Sequence, residues 1–234
     1  AVVLAAELGL NPSTVGRVLA RHRVPRLAAI DPITGLPVRS VRHSGIRYEH
    51  PRPGDMIHVD VKKLGRIPAG GGWRLHGRGP CRAQRHKRPK IGYDYVHTAI
   101  DDHTRLAYSE VLDDEKGPTC AGFLHRALEW FAGHGITVTR ILTDNAWSYR
   151  HSTDWAQVCI AWSIRRRFTK PGCPWTNGKA ERFNRTLLHE WAYARAWTSN
   201  PARRRGLDRF LLHYNTQRGH SALGGHPPIS RLAA

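Results

Sequence analysis

The sequence predicts an α/β protein: a mixed β-sheet flanked by helices, with a small N-terminal helix-turn-helix in front of it. Apolar residues make up 40% of the 234 positions, enough for a packed core. After residue 55, alternating and helical apolar patterns follow one another in a definite order. That order is three strands, a helix, a strand, a helix and a further strand, which favours a mixed sheet.

The first 24 residues have the pattern of two short helices around a tight turn. Asn11 is placed to cap the second helix, which has Pro12 at its first position. A helix-turn-helix would place the polar side chains of this second helix in a DNA major groove. These side chains are Ser13, Thr14, Arg17 and Arg21. An ordinary helical hairpin is the alternative, and the lack of room for a third helix suggests a truncated unit.

Two further segments are basic. Residues 25–54 are rich in proline, glycine and arginine, which indicates a basic linker. Residues 65–92, between the first two predicted strands, contain many arginines and no acidic residue. We interpret this insertion as a flexible arm that follows DNA phosphates, with a solvated loop as the alternative.

The core is assigned to residues 55–232. Its predicted strands are residues 56–61, 93–100, 105–112, 137–142 and 163–168. Its predicted helices run from 118 to about 133, from 178 to about 197 and from 200 to about 214. Residues 101–104 have the turn chemistry of a hairpin.

Charge and cysteine usage limit the classes of function. The formal net charge of +19 favours a polyanionic partner, above all nucleic acid, although ribosomal and membrane-surface proteins are also basic. The four cysteines form no CxxC pair, so reduced thiols are expected rather than a zinc site. No apolar run approaches the roughly 20 residues that span a bilayer, and no leader opens the chain. We therefore expect a soluble, cytoplasmic protein.

Three acidic residues stand in informative places. Asp60 lies inside an apolar strand, where an unpaired carboxylate is costly to bury. Asp144 ends another strand, and Glu181 lies in the first turns of a helix. Each has an ordinary explanation: a salt-bridged strand residue, a turn former before Asn145, and a surface glutamate paired with Arg185.

Taken together, the three acids indicate metal chemistry. Carboxylates from two strand ends and a helix can meet at one edge of a sheet, where they repel unless cations intervene. Oxygen-only ligands suit Mg²⁺ or Mn²⁺. Two such ions, about 3.5–4 Å apart, can hold the attacking and leaving oxygens of a phosphodiester.

Four ordered segments carry a resemblance to the DDE integrase catalytic core, as found in retroviral integrases and bacterial insertion-sequence transposases. The segments are residues 59–62 (VDVK), 142–145 (LTDN), 176–185 (TNGKAERFNR) and the tail from 214 to 227. Glu181 follows Asp144 by 37 positions, within the usual range of that family. The resemblance covers about residues 50–232. Ala146, Trp175 and Gly219 depart from common family residues without removing an acid.

The resemblance implies a ribonuclease-H-like fold and a transposase that cuts and joins double-stranded DNA at the ends of a mobile element. Asp60, Asp144 and Glu181 would bind two Mg²⁺ or Mn²⁺ ions and form the catalytic site. Residues flanking Glu181 are expected to contact DNA, with a solvated helix face as the alternative. They are Asn177, Lys179, Arg182 and Arg185. Assembly as a homo-oligomer on DNA is implied, because two element ends must be brought together.

Two other functions fit part of the pattern. A transposase-derived repressor would use the helix-turn-helix and the positive charge but would not need the three acids. A structure-specific nuclease with the same fold would share the metal chemistry but would hydrolyse nucleic acid without joining it.

Overall fold

The centre of the protein is one five-stranded sheet. The computed structural model describes residues 2–24, 48–77, 91–170 and 177–232. The strands are β1 (Ile57–Gly65), β2 (Tyr93–Asp101), β3 (Ala107–Leu112), β4 (Arg140–Thr143) and β5 (Arg165–Phe168). Their order is β3-β2-β1-β4-β5, antiparallel from β3 to β1 and parallel from β1 to β5. The predicted mixed sheet is confirmed.

The helices of the described residues lie mostly between and after the strands. They are α1 (Val2–Leu8), α2 (Pro12–Arg21), α3 (Trp73–His76), α4 (Gly117–Gly133), α5 (Trp147–Arg150), α6 (Thr153–Ala161), α7 (Gly178–Leu187) and α8 (Asn200–Thr216). A π-helical turn, Leu188–Ala192, extends α7, and short 3₁₀ turns lie at Ser221–Leu223 and Pro228–Arg231.

The helix predicted to run from 178 to about 197 is shorter than expected. Its π-helical turn ends at Ala192, and the chain then folds back into α8. The indole N–H of Trp191 donates to the Arg203 carbonyl (2.9 Å), and that of Trp197 donates to the Trp191 carbonyl (3.1 Å). Apolar periodicity did not reveal the turn between α7 and α8. Trp191 and Trp197 look like residues of one helix face, but their hydrogen bonds hold this turn instead.

The two faces of the sheet are covered by different helices. On one face, α4 and α6 pack over β1 through Phe123, Phe131 and Trp155. On the other face, α7 and α8 contribute a second apolar cluster that includes Phe183 and Tyr214. Because side chains alternate along a strand, successive residues of β1 belong to opposite layers. This alternation decides which polar residues of β1 face α7.

The N-terminal segment forms the two helices that the sequence predicts. Asn11 caps α2, with its side-chain oxygen accepting from the Ser13 N–H (2.9 Å). Val15 is buried, whereas Val18, three positions further along α2, is 44% exposed. On the polar side, Ser13, Arg17 and Arg21 are exposed and Thr14 is half-buried. Recognition of DNA by these four residues stays a prediction.

The described part of the basic insertion lies against the core. The Arg66 Nε donates to Asp94 (3.0 Å), and the Arg74 guanidinium lies 4.0 Å from the centre of the Tyr193 ring. These two arginines therefore contact the protein itself. Residues 78–90, with the other basic residues assigned to the arm, lie outside the described residues, as do residues 25–47 of the predicted linker.

Two of the four cysteines can be placed. Cys120 and Cys159 are buried free thiols, in line with the expected reduced state, while Cys81 and Cys173 lie outside the described residues. Among the described helices, none combines the length and the apolar character needed to cross a membrane.

Candidate active site

The fold brings the strand positions of Asp60 and Asp144 side by side. β1 and β4 are parallel neighbours, and His58 is paired in register with Leu142. Asp60 and Asp144 each lie two residues beyond that pair. Glu181 lies in the first turn of α7, which packs against β1. The Asn184 amide, one turn after Glu181, donates to Asp60 Oδ2 (2.7 Å) and ties α7 to this strand.

The pKa of Asp60 reflects its burial and the nearby charges of the other two carboxylates. The pKa of Asp60 is raised from 3.8 to about 6, chiefly by burial and next by the negative charge of Asp144. Glu181 contributes in the same direction, whereas the Asn184 hydrogen bond opposes the rise. Half-buried Asp60 thus carries a negative charge that its surroundings compensate poorly.

The ordinary explanations are met only for Asp144. Its Oδ1 accepts from the Ala146 N–H (2.9 Å), as in a turn former. Within the described residues, neither Asp60 nor Glu181 forms an ion pair, and the expected surface pair of Glu181 with Arg185 is not seen.

The acids are near one another but are not arranged around a common ion. In the parts of the chain that the structure describes, no three His, Cys, Asp or Glu side chains are grouped so that they could hold one metal. Glu181 and Asp144 are both exposed. The donor chemistry nevertheless fits a hard divalent cation, because carboxylate oxygens are the donors that Mg²⁺ and Mn²⁺ prefer.

A buried polar network lies beside Asp60, on the same face of β1. His58 is fully buried, and its Nε2 lies 2.9 Å from Asp102 Oδ1. Its Nδ1 lies 3.0 Å from the Asn177 side-chain oxygen, while the Asn177 amide donates to the Val59 carbonyl (3.1 Å). The two ring nitrogens of His58 thus connect Asp102, in the turn after β2, to Asn177 at the start of α7.

Asp102 is the anionic centre of this network. It also accepts from the His50 backbone N–H (2.6 Å) and forms an ion pair with Lys179. Burial alone would raise the pKa of Asp102, but the hydrogen bonds from His58 and Lys179 outweigh burial and hold it well below its usual range. The network fixes the start of α7 to β1 and to the turn between β2 and β3.

The four residues expected to contact DNA around Glu181 fall into two groups. Asn177 is only 4% exposed, and both of its polar groups are bonded inside the protein. Lys179 is held by Asp102 and by the Tyr48 carbonyl (2.5 Å). Arg182 is exposed and lines a groove of about 1180 Å³ beside α7, and Arg185 is half-buried. The structure thus leaves mainly the two arginines directed toward solvent.

Sequence reasoning missed His58 and Asn184 as site residues. The signal for both was present in simple periodicity. His58 precedes Asp60 by two strand positions and so shares its face, and Asn184 follows Glu181 by three helical positions. The partners of His58 could not be found in this way, because Asp102 and Asn177 come from distant parts of the chain.

The order of the strands in the sheet and the flanking helices are those of a ribonuclease-H-like fold, and comparison with known proteins agrees. Residues 50–174 match a family model described as an integrase core domain, and residues 162–228 match a second model with the same description. The first match covers more than half of the chain. This chain belongs to the integrase core domain family.

Relatives and solved structures show the same likeness. The ORF3 product of Spiroplasma virus SpV1-C74, named as a candidate integrase, is 27% identical over 150 residues. That match covers 59% of this chain and only 41% of the length of the viral protein.

Two solved structures share the fold at low identity. The HTLV-2 integrase catalytic core in complex with magnesium has a TM-score of 0.52 at 14% identity, covering 76% of this chain and 95% of that one. The simian T-cell lymphotropic virus intasome in complex with PP2A regulatory subunit B56 gamma has a TM-score of 0.59 at 16% identity. That comparison covers 99% of this chain and 73% of the other.

Proposed function

We propose that this chain is the catalytic part of a DDE-type transposase, which cuts DNA at the ends of a mobile element and joins the ends to target DNA. The observation that carries the proposal is the placement of Asp144 and Glu181 beside partly buried Asp60, whose pKa is raised to about 6 by burial first and by the charges of these two acids in addition. A core without cation chemistry gains nothing from crowding three carboxylates that lack counter-charges.

The three carboxylates would hold two divalent ions, Mg²⁺ or Mn²⁺. When bound, these ions would lower the pKa of a nucleophilic hydroxyl and neutralise charge on the transferring phosphate. We expect the exposed side chain of Glu181 to turn toward Asp60 on binding. The magnesium in the HTLV-2 core structure supports this choice of ion.

The protein's own residues would prepare the site. Asn184 donates to one oxygen of Asp60 and so would help to fix the orientation of this carboxylate. The His58–Asp102–Lys179 network holds the first turn of α7, which carries Glu181, against β1. Exposed Arg182 and half-buried Arg185 would bind DNA phosphates near the acids. Fixing all these groups before DNA binds reduces the cost of reaching the transition state.

We also propose that the chain acts on double-stranded DNA as a homo-oligomer, with the segment 1–24 as a DNA reader. The intasome among the similar structures supports an assembly on DNA. Light scattering of the protein with and without DNA carrying the element ends tests this point, because a species that remains monomeric on DNA contradicts it.

The decisive experiment uses the DNA that flanks the reading frame, whose inverted repeats would supply the substrate. One oligonucleotide carries an uncut end, and a second carries a pre-cut end with a free 3′-hydroxyl. Wild type should nick the first and join the second to a plasmid only with Mg²⁺ or Mn²⁺. Asp60→Asn should lose both activities and keep DNA binding, whereas the matched control Asp208→Asn, at an exposed position on α8, should keep everything.

The same experiment separates the alternatives. Hydrolysis without joining of the pre-cut end would identify a nuclease. Tight, sequence-specific binding without any metal-dependent reaction would identify a repressor. Full activity of Asp60→Asn would refute the metal role.

A further inference from the structure

Strand β5, at the edge of the sheet, carries three consecutive exposed arginines. These are Arg165, Arg166 and Arg167, named here the β5 arginines. Among the described residues none of the three has an ion-pair or hydrogen-bonding side-chain partner. An edge strand with this much uncompensated charge is unsuited to pairing with another strand and suited to an anionic ligand.

The sheet register sorts the β5 arginines between its two faces. Leu142 is paired with both His58 and Arg167, so these three side chains lie on one face. This is the face of Asp60, which contacts α7 through Asn184. Arg165, two positions before Arg167, shares it.

Arg166 points the other way. It is paired with Ile141, which belongs to the apolar core beneath α4 and α6. Burial raises the pKa of the Cys159 thiol in α6, whereas the positive charge of Arg166 lowers that pKa. One strand thus presents two arginines on the face of the acidic cluster and one on the opposite face.

Holding Arg165 in this position carries an electrostatic cost. It lies directly across from Arg140 in register, and like charges in such pairs are destabilising. Arg140 is compensated by Asp55, whose carbonyl accepts from its Nε (2.7 Å), whereas Arg165 has no such partner among the described residues. An anion bound along this face would remove the repulsion.

We propose that Arg165 and Arg167 bind the phosphate backbone of the target DNA duplex and guide it to Asp144, which ends the neighbouring strand. This inference rests on the proposed function, which requires two DNA partners at one site. Arginines that contact phosphates position a duplex but do not read its sequence. That property suits the target, whereas the element end has to be recognised by its bases.

Equilibrium binding of the full chain to a fluorescent 30-base-pair duplex of random sequence, in EDTA and over a salt series, tests the site. Each lost phosphate contact should lower the slope of log K against log salt by about 0.9. We expect this decrease for Arg165→Ala and for Arg167→Ala, and a decrease of about two for the double variant. Arg166→Ala, with the same charge loss on the same strand, is the matched control and should keep the wild-type slope.

Thermal unfolding accompanies the binding measurements. The double variant should be at least as stable as wild type, because the repulsion with Arg140 is gone. A wild-type slope in the double variant, or an equal decrease in Arg166→Ala, overturns the inference. An equal decrease in Arg205→Ala/Arg209→Ala, two exposed arginines of α8, would show a net-charge effect and overturn it as well.

A joining assay with a pre-cut end tests whether the duplex bound by Arg165 and Arg167 is the target DNA. The double variant should need more target plasmid for half-maximal joining, with an unchanged requirement for the end oligonucleotide. A raised requirement for the end instead would overturn the assignment to target DNA. The binding measurements need no metal, so they test the DNA contacts of Arg165 and Arg167 even if the protein joins no DNA. Conversely, joining by wild type would support the proposed function even if the binding measurements overturned these contacts.

Discussion

Removing the charge of Asp60 should stabilise the metal-free protein. The unfolded chain ionises this carboxyl near pH 3.8, whereas the folded protein does so near pH 6. Above pH 6 the folded state therefore carries an anion that burial and Asp144 disfavour, and below about pH 4 the penalty vanishes because both states are protonated. The difference of roughly two pKa units corresponds to about 3 kcal/mol at most.

Urea unfolding of Asp60→Asn and wild type in EDTA measures this effect. At pH 8 the variant should be more stable by about 2–3 kcal/mol, equivalent to a rise in Tm of very roughly 4–12 °C for a chain of this size. The advantage should shrink as the pH falls from 6 to 4. Asp208→Asn makes the same charge change at an exposed position of α8 and should show little effect at either pH.

Divalent ions should reverse the order of stability of wild type and Asp60→Asn. Mg²⁺ stabilises the state that binds it, so wild type should gain stability with increasing Mg²⁺ while Asp60→Asn gains little. An equal stability of the two proteins at pH 8, or a difference that does not change with pH, would show that Asp60 is not under electrostatic strain. The reasoning from its pKa would then be refuted.

Two further substitutions test the surroundings of the site, and a third tests the N-terminal helices. Asn184→Ala removes the donor to Asp60, so the pKa of Asp60 should rise further, which NMR titration measures. Metal-dependent joining should fall at least tenfold in the joining assay. Asp102→Ala removes the buried carboxylate that pairs with Lys179 and His58 and should cost about 3–5 kcal/mol in urea unfolding at pH 7. In wild type this stabilisation should be lost as the pH falls below about 4, because hydrogen bonding lowers the folded-state pKa of Asp102. Asn11→Ala removes the cap of α2 and should weaken amide protection in that helix by about 1 kcal/mol in hydrogen exchange.

Local patterns in the sequence determined where the strands lie along the chain, the existence of most helices and the choice of candidate acids. Alternation placed Asp60 within β1, and the end of an apolar run placed Asp144 at the end of β4. These features depend on neighbours within a few residues, so periodicity and capping rules can find them. The resemblance of four ordered segments added the family, which the match over residues 50–174 confirms.

Only the tertiary structure decided how the site is supported. Asn177 and Lys179 look like surface groups beside Glu181, yet the fold turns them inward to His58 and Asp102. His58 and Asp102 are 44 positions apart, and His58 and Asn177 are 119 apart. Strand register and helix packing over the sheet set such contacts, and both depend on the whole chain. Local sequence therefore specified which groups are present, and long-range packing specified which are buried, paired or exposed to solvent.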